Sequence, residues 1–399
     1  MGRFARVNLL IGTGHFLSHF YILTLPPMFI AWQHAFGASY AELGLTVALM
    51  SGITAVLQTP VGFLVDRHGA RPFLVGGTLL MTLAMAAMGF ATAFWQVLAL
   101  AFLSGVGNSV IHPADYAILT GSIERSRMGR AFALHTFSGN LGFAAGPPVT
   151  AALMLAVGWR STLLVEGLLG IPLVLTILWQ SRILADQAKP APAAHAARHV
   201  SGRQLLLTPT MLLFFGFYML TAMAGAGLQS WLITVLHTVH HTSLEAGSSV
   251  LTGYMVGATS GTLVGGWVAD RTDRLLGFVI LLTVGSSALL LAVNALALPD
   301  AATIAVMAVS GLLLGASRTP RDVMVKDAAP AGQVGKVFGF VSAGLPLGQA
   351  ITPVPFGFLI DRGRPELVLV LVAALLIASL FCAGSARSVR AAALPAPAE

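Results

Sequence analysis

A succession of long apolar stretches, broken only by short polar turns, limits what this chain can fold into more than any other feature of it. A helix crossing a bilayer needs about 20 such residues. Twelve stretches meet that length: 7–31, 41–65, 73–93, 95–119, 130–156, 161–183, 207–236, 245–269, 276–297, 301–325, 334–360 and 366–385. Membrane-spanning strands would instead run about 10 residues with strict apolar–polar alternation, and the sequence shows no such pattern. Backbone groups surrounded by lipid must be paired within the segment, so each stretch is expected to be a helix. Charged residues make up 9% of the 399, against about 25% in soluble domains, too few to clothe a surface in water. The sequence therefore predicts an all-α integral membrane protein with twelve transmembrane helices. The first stretch is too long for the core of a cleavable signal and carries His15 and His19. The single cysteine, Cys382, leaves neither an intrachain disulfide nor a multi-cysteine metal site.

Lysine and arginine set the orientation. With an even number of crossings both termini share a side, and 17 of the 22 basic residues fall there. Arg160, Arg362 and Arg364 lie on the other side, and Arg318 and Arg321 fall within the tenth stretch. Both termini are thus expected in the cytoplasm, in a bacterial-type inner membrane. The net charge of +7 reflects this bias, and its dispersal over short loops excludes a nucleic-acid surface. Residues 184–206, rich in Ala and Pro and carrying His195 and His199, read as a solvated cytoplasmic linker. They separate an N-terminal six-helix bundle, 1–183, from a C-terminal one, 207–399.

The two halves repeat one another. Gly62-x3-Asp66-Arg67-x-Gly69-x-Arg71 follows the second stretch, and Gly266-x3-Asp270-Arg271 follows the eighth. Gly107, Pro113 and Asp115 in the fourth stretch match Gly315, Pro320 and Asp322 in the tenth. Gly142 and Gly146-Pro147 in the fifth match Gly348 and Thr352-Pro353 in the eleventh. The offsets cluster at 204–207 residues in the same helix order, which implies duplication of a six-helix unit, as in many secondary transporters.

At these residues the chain resembles the major facilitator superfamily over essentially its whole length. The resemblance implies two pseudo-symmetric six-helix bundles rocking about a central site, with the Gly62–Arg71 loop and its weaker copy acting in the conformational switch. The run Gly105-Val-Gly107-Asn-Ser109-Val-Ile-His112-Pro113 is similar to the fosmidomycin-resistance branch, which implies drug export. Gly142, Gly146 and Pro147 are similar to an antiporter motif whose closing Gly-Gly is here Thr150-Ala151. The resemblance also implies a cavity lined mainly by the first, fourth, seventh and tenth helices.

Ionisable groups at membrane depth cost roughly 2.5–3.5 kcal/mol each on insertion scales and mark function. Here they are His15 and His19 in the first stretch, His112 and Asp115 in the fourth, His135 in the fifth, and Arg318, Arg321 and Asp322 in the tenth. His112 and Asp115, three apart, share a helix face, and a His–carboxylate pair exchanges a proton near neutral pH. This pair is the expected proton-coupling site, with packing as the alternative. His15 and His19, four apart, are expected to line the cavity with Tyr21, His135 and Asn140. Their spacing also suits transition-metal chelation, and Met219 and Met223 on the seventh stretch would suit copper. Cavity lining is preferred, so no resident metal or other cofactor is expected. Arginine recognises carboxylates and phosphonates, and Asp322 could neutralise one of the two arginines. That leaves Arg318 as the substrate-binding candidate. His237, His240 and His241 read as a hydrated loop.

The expected function is proton-coupled transport of a small organic solute, anionic or amphiphilic, by a monomer in the bilayer, with export favoured. Uptake of an organic acid and transition-metal transport are the alternatives within that class. A polytopic membrane enzyme or a sensor is the rival from another class. No His-Glu-x-x-His run, Gly-x-Ser-x-Gly elbow or Walker loop supports an enzyme or an ATP-driven pump.

Overall fold

The structure, a computed structural model, describes all residues except 1, 125–126, 186–206, 270, 273, 330–333 and 394–399. The described residues are helical nearly throughout and contain no strand. In chain order the helices are α1 (Arg3–Phe36), α2 (Tyr40–His68), α3 (Ala70–Met88), α4 (Phe94–Asn108), α5 (Ile111–Ser122), α6 (Met128–Leu168) and α7 (Gly170–Trp179). They continue with α8 (Pro209–His240), α9 (Leu244–Ala269), α10 (Leu275–Ala295), α11 (Asp300–Ala328), α12 (Val334–Ser342), α13 (Gly344–Ile351), α14 (Pro353–Asp361) and α15 (Glu366–Ala393).

These helices make twelve crossings. Among the described residues, nine helical stretches are long and apolar enough to span a bilayer, and one of them, Arg130–Trp179, holds two crossings. Gly158 divides it, with φ 76° and ψ 162° inside α6, a backbone state that a side chain would strain. α1 and α9 complete the set. Their hydropathy is diluted by His15 and His19 in one and by Gly, Ser and Thr in the other. α11 is continuous although it carries Arg318, Arg321 and Asp322.

Three crossings that the sequence reads as single helices are interrupted, and proline explains where. Pro113, Pro172 and Pro346 each stand third in a new helix, α5, α7 and α13. A proline ring collides with the carbonyl four residues before it, and the imino nitrogen donates nothing. The preceding helix therefore ends at Asn108, Leu168 and Ser342. Pro353 then opens α14 as its first residue, where the missing N–H costs nothing. The break before α5 puts His112 and Asp115 in the first turns of a new helix.

Two compact units emerge. The first comprises the described residues of 1–190 together with 229–252 and 353–363, and the second those of 191–228, 253–352 and 364–399. In the first unit α1 runs along α6, with Gly142 and Gly146 of α6 set against the backbone of Phe16 and Phe20. α14 packs on α2, where Gly44 abuts the Pro353 carbonyl and the Trp231 indole donates to that same oxygen at 2.9 Å. The Asp361 carboxylate accepts from the backbone N–H groups of Tyr40 (2.7 Å) and Ala41 (2.9 Å), capping the positive end of α2.

In the second unit Gly257, Gly261 and Gly265 line one face of α9 against the carbonyls of Ala308, Leu312 and Ala316 on α11. Gly311 and Gly315 return the contact against Tyr254 and Ala258. Small residues are the general means of helix association in lipid, where apolar side chains gain nothing by leaving one apolar medium for another. A cluster of Phe214, Phe217, Val279, Val325, Val337 and Val341 packs α8, α10, α11 and α12 together in the same unit.

Candidate functional site

Histidines from three helices meet in the first unit. His15 and His19 project from successive turns of α1 toward α6. The face of α6 that meets them reads His135, Gly139, Gly142 and Gly146, a stripe at helical spacing. A Cβ at Gly139 would lie 2.5 Å from Cε1 of His15 and 2.8 Å from Cε1 of His19, so both imidazoles rest on bare backbone there. His112 enters from the first turn of α5. Ring centroids of His15 lie 4.3 Å from those of His19, 5.0 Å from His112 and 3.7 Å from His135, the last pair stacked within 7° of parallel. Tyr116 closes one side against His112 and His135, and Phe143 covers His19.

Two hydrogen bonds fix the cluster. His135 Nε2 and Asp115 Oδ2 are 2.9 Å apart, with 2% and 0% of their side chains exposed. His15 Nδ1 lies 2.7 Å from the His135 carbonyl. A carbonyl only accepts, so Nδ1 of His15 carries the proton and Nε2 presents its lone pair to the cluster. His15 Nε2, His19 Nδ1, His112 Nδ1 and Asp115 Oδ1 are buried without any hydrogen-bond partner. Buried polar atoms are nearly always paired, so four such atoms in one place set this cluster apart from ordinary helix packing.

The arrangement corrects the expected pairing. Asp115 bonds His135 of α6, and its same-helix neighbour His112 turns toward His15 and His19. Residues three apart on a helix differ by about 60° in direction, enough for Asp115 to face α6 while His112 faces α1. His135, expected among the cavity-lining residues, is the one that joins the carboxylate to the imidazoles. Tyr21 lies apart from the group. It is fully buried, and its hydroxyl is directed to the carbonyls of Glu166 and Gly167 at 3.0 Å each. Asn140 is half-buried beside Gly139.

Sequence reasoning missed Glu166, the one carboxylate of the sixth crossing. It is fully buried and accepts from Thr150 (2.8 Å) and Thr24 (3.1 Å), with no cation among its partners. A lone acid in the run Ser161–Trp179 was a visible signal by the same membrane-depth cost applied to Asp115. Asn108 was also passed over. It accepts from Ser18 and donates to Thr54 at 3.2 Å, tying α4 to α1 and α2.

In the second unit, Asp322 is taken up by Arg321, at 2.9–3.0 Å, and by the Tyr218 hydroxyl. The Arg321 guanidinium also lies 4.0 Å over the Tyr218 ring. Arg318 is solvent-accessible and makes no hydrogen bond or ion pair among the described residues. Asp66 and Arg67 are exposed at the end of α2, and Gly69 turns the chain into α3 with φ 92°. Arg71 is half-buried in the first turn of α3. In the copy of this loop Arg271 stacks on Trp267 at 4.2 Å, while Asp270 lies outside the described residues. An added Cβ at Gly62 or Gly266 would meet nothing within 4 Å. His237 bonds the Thr242 carbonyl at 2.9 Å and does not converge with His240 and His241.

Comparison with known proteins agrees with the architecture. The chain is 25% identical over 363 residues to the uncharacterized MFS-type transporter YfnC of Bacillus subtilis, spanning 89% of this chain and 86% of that one. It is 26% identical to the probable sulfoacetate transporter SauU of Cupriavidus necator, spanning 86% of each. Among solved structures, a bacterial homolog of the human lysosomal transporter Spinster, inward-facing and occupied, superposes with a TM-score of 0.81 over 99% of both chains at 14% identity, a likeness of fold. The Major Facilitator Superfamily profile matches residues 11–298 and 220–399, and the chain belongs to that family of multi-pass membrane transporters.

Proposed function

We propose that this secondary transporter couples the movement of a small organic anion to protons, with Asp115, His135 and the imidazoles of His15, His19 and His112 as the proton-carrying group. The observation that carries the reading is the buried Asp115–His135 pair, in ring contact with His15 and His112 and through them with His19, with four ring or carboxylate atoms of the cluster unpartnered. Such a group accepts a proton and redistributes it without building new structure. Coupling then requires that protonation and solute binding favour different conformations.

Arg318 is the proposed anion site, supported by its unpaired guanidinium and by the similarity to a sulfoacetate transporter. Export through a bacterial-type inner membrane with both termini cytoplasmic is the direction and setting we propose, resting on the fourth-helix run and on the distribution of Lys and Arg. The Gly62 and Gly266 loops are the proposed switch elements. Glycines that face open space in one conformation fit positions that approach a neighbour closely in another. Purified protein in liposomes, loaded with a labelled aliphatic sulfonate or carboxylate, tests the reading. Solute movement should follow an imposed pH gradient of either sign and stop with a protonophore. Flux indifferent to that gradient removes the proton-coupling proposal.

A further inference from the structure

We propose that His15, His19 and His112 form a binding site for a divalent transition-metal ion of the zinc class. The inference deepens the reading of the same cluster without needing it, because metal binding is read at equilibrium and proton coupling by flux.

Convergence is the first support. One ring nitrogen from each of the three histidines lies within 4.8 Å of the others. A tetrahedral ion with bonds of about 2.0–2.1 Å holds its nitrogens about 3.4 Å apart, so the triad has to contract by little more than an ångström. Rotation about side-chain torsions supplies that. His15 Nε2, His19 Nδ1 and His112 Nδ1 are each buried and unpartnered. A single cation satisfies three lone pairs at once.

The surroundings match what a ligated imidazole needs. A metal-binding histidine donates its other N–H to a carbonyl or carboxylate, which fixes the ring and its tautomer. His15 does so to the His135 carbonyl at 2.7 Å. His135 is held in turn by Asp115 at 2.9 Å, which places a carboxylate behind the site to balance a divalent charge. Gly139 supplies the bed, since a methyl group there would occupy the space of two of the rings.

The donor set selects the ion. Three imidazoles with no thiolate and no thioether suit Zn²⁺, Co²⁺, Ni²⁺ or Cu²⁺ over Mg²⁺, Ca²⁺ or Cu⁺. Three protein ligands leave a fourth position open for water or a solute oxygen, so the ion is exchangeable. Proton and metal compete for the same nitrogens, and the titratable groups facing them are His15 and His19 of α1, His112, Asp115 and Tyr116 of α5, and His135 of α6.

The test uses the full-length protein, purified in detergent and stripped with a chelator, then titrated with ZnCl₂ by calorimetry and checked by elemental analysis after dialysis. One zinc per chain is expected, with X-ray absorption showing imidazole scattering at about 2.0 Å. His19→Ala and His112→Gln should each weaken binding at least about tenfold, and Gly139→Ala should weaken it while removing no ligand. Combined His237→Ala, His240→Ala and His241→Ala should leave it unchanged. Affinity should fall with pH as protons displace the ion. Gel filtration of each variant separates lost binding from lost fold, and His112→Gln keeps the side-chain volume. A native chain that retains no zinc overturns the proposal, as does a full equivalent retained by correctly folded His19→Ala and His112→Gln. Flux driven by a pH gradient in chelator-treated liposomes reports separately on proton coupling.

Discussion

Replacing Asp115 separates the structural from the transport role of the buried pair. Its Oδ2 lies 2.9 Å from His135 Nε2, and neither side chain is more than 2% exposed. A hydrogen bond to a charged group contributes about 1.5–3 kcal/mol and a neutral one about 1 kcal/mol. Asp115→Asn keeps an oxygen in place and should cost about 1 kcal/mol, the difference between the two. Asp115→Ala removes the acceptor and leaves an N–H buried and unpaired, a further cost of about 1–3 kcal/mol. Thermal melts in detergent should therefore rank native, Asn, Ala, with the larger drop at the second step. Transport should rank differently. Neither variant has a titratable carboxyl, so both should lose accumulation driven by a pH gradient, while solute exchange at equal pH persists. Full gradient-driven accumulation by Asp115→Asn would refute the reasoning, because the charge would then be dispensable where the bond is kept.

Other perturbations follow from the packing. Arg318→Gln should weaken binding of an anionic solute at least tenfold, about 1.4 kcal/mol by the ordinary worth of a charged hydrogen bond, with the melting temperature unchanged. A ligand-dependent thermal shift measures this. Glu166→Gln keeps partners for Thr24 and Thr150, whereas Glu166→Leu takes the short bond from Thr150 and leaves Thr24 only the Phe20 carbonyl at 3.2 Å, a cost of about 1–3 kcal/mol, so only the second should melt markedly lower. Asp361→Ala removes the acceptor of the Tyr40 and Ala41 N–H groups while the Ser39–Glu42 capping box stays, and should cost about 1 kcal/mol in chemical denaturation. Gly261→Leu drives a side chain into the Leu312 carbonyl and should abolish a monodisperse gel-filtration peak.

The crossings were legible because lipid imposes a length and a polarity that each stretch satisfies alone. Interruptions at Pro113, Pro172 and Pro346 were readable in principle, but the prolines Pro26, Pro27 and Pro60 sit within unbroken helices, so sequence alone does not say which proline wins. The candidate residues His15, His19, His112, Asp115 and His135 were all named from their cost at membrane depth. Their partnership was not, since same-helix spacing pairs Asp115 with His112, and only the adjacency of α5 and α6 supplies His135. Glu166 carried the same signal as a lone acid in its run, but its partners Thr24 and Thr150 stand 142 and 16 residues away. Gly139 could not have been found at all: its significance is the space it leaves for two rings on another helix.

The Asp361 contact with α2 bears on where the chain can be divided. By sequence, a cut anywhere in 184–206 would release two similar halves. By contact, the first unit is completed by 229–252 and 353–363, which bring the Asp361 carboxylate to α2 and the Trp231 indole to Pro353. An N-terminal fragment made alone would lack both, leaving the Tyr40 and Ala41 N–H groups without the Asp361 carboxylate and Gly44 without the Pro353 backbone. Such a fragment is an incomplete fold rather than a smaller one, and stability should return when the C-terminal fragment is made in the same cell.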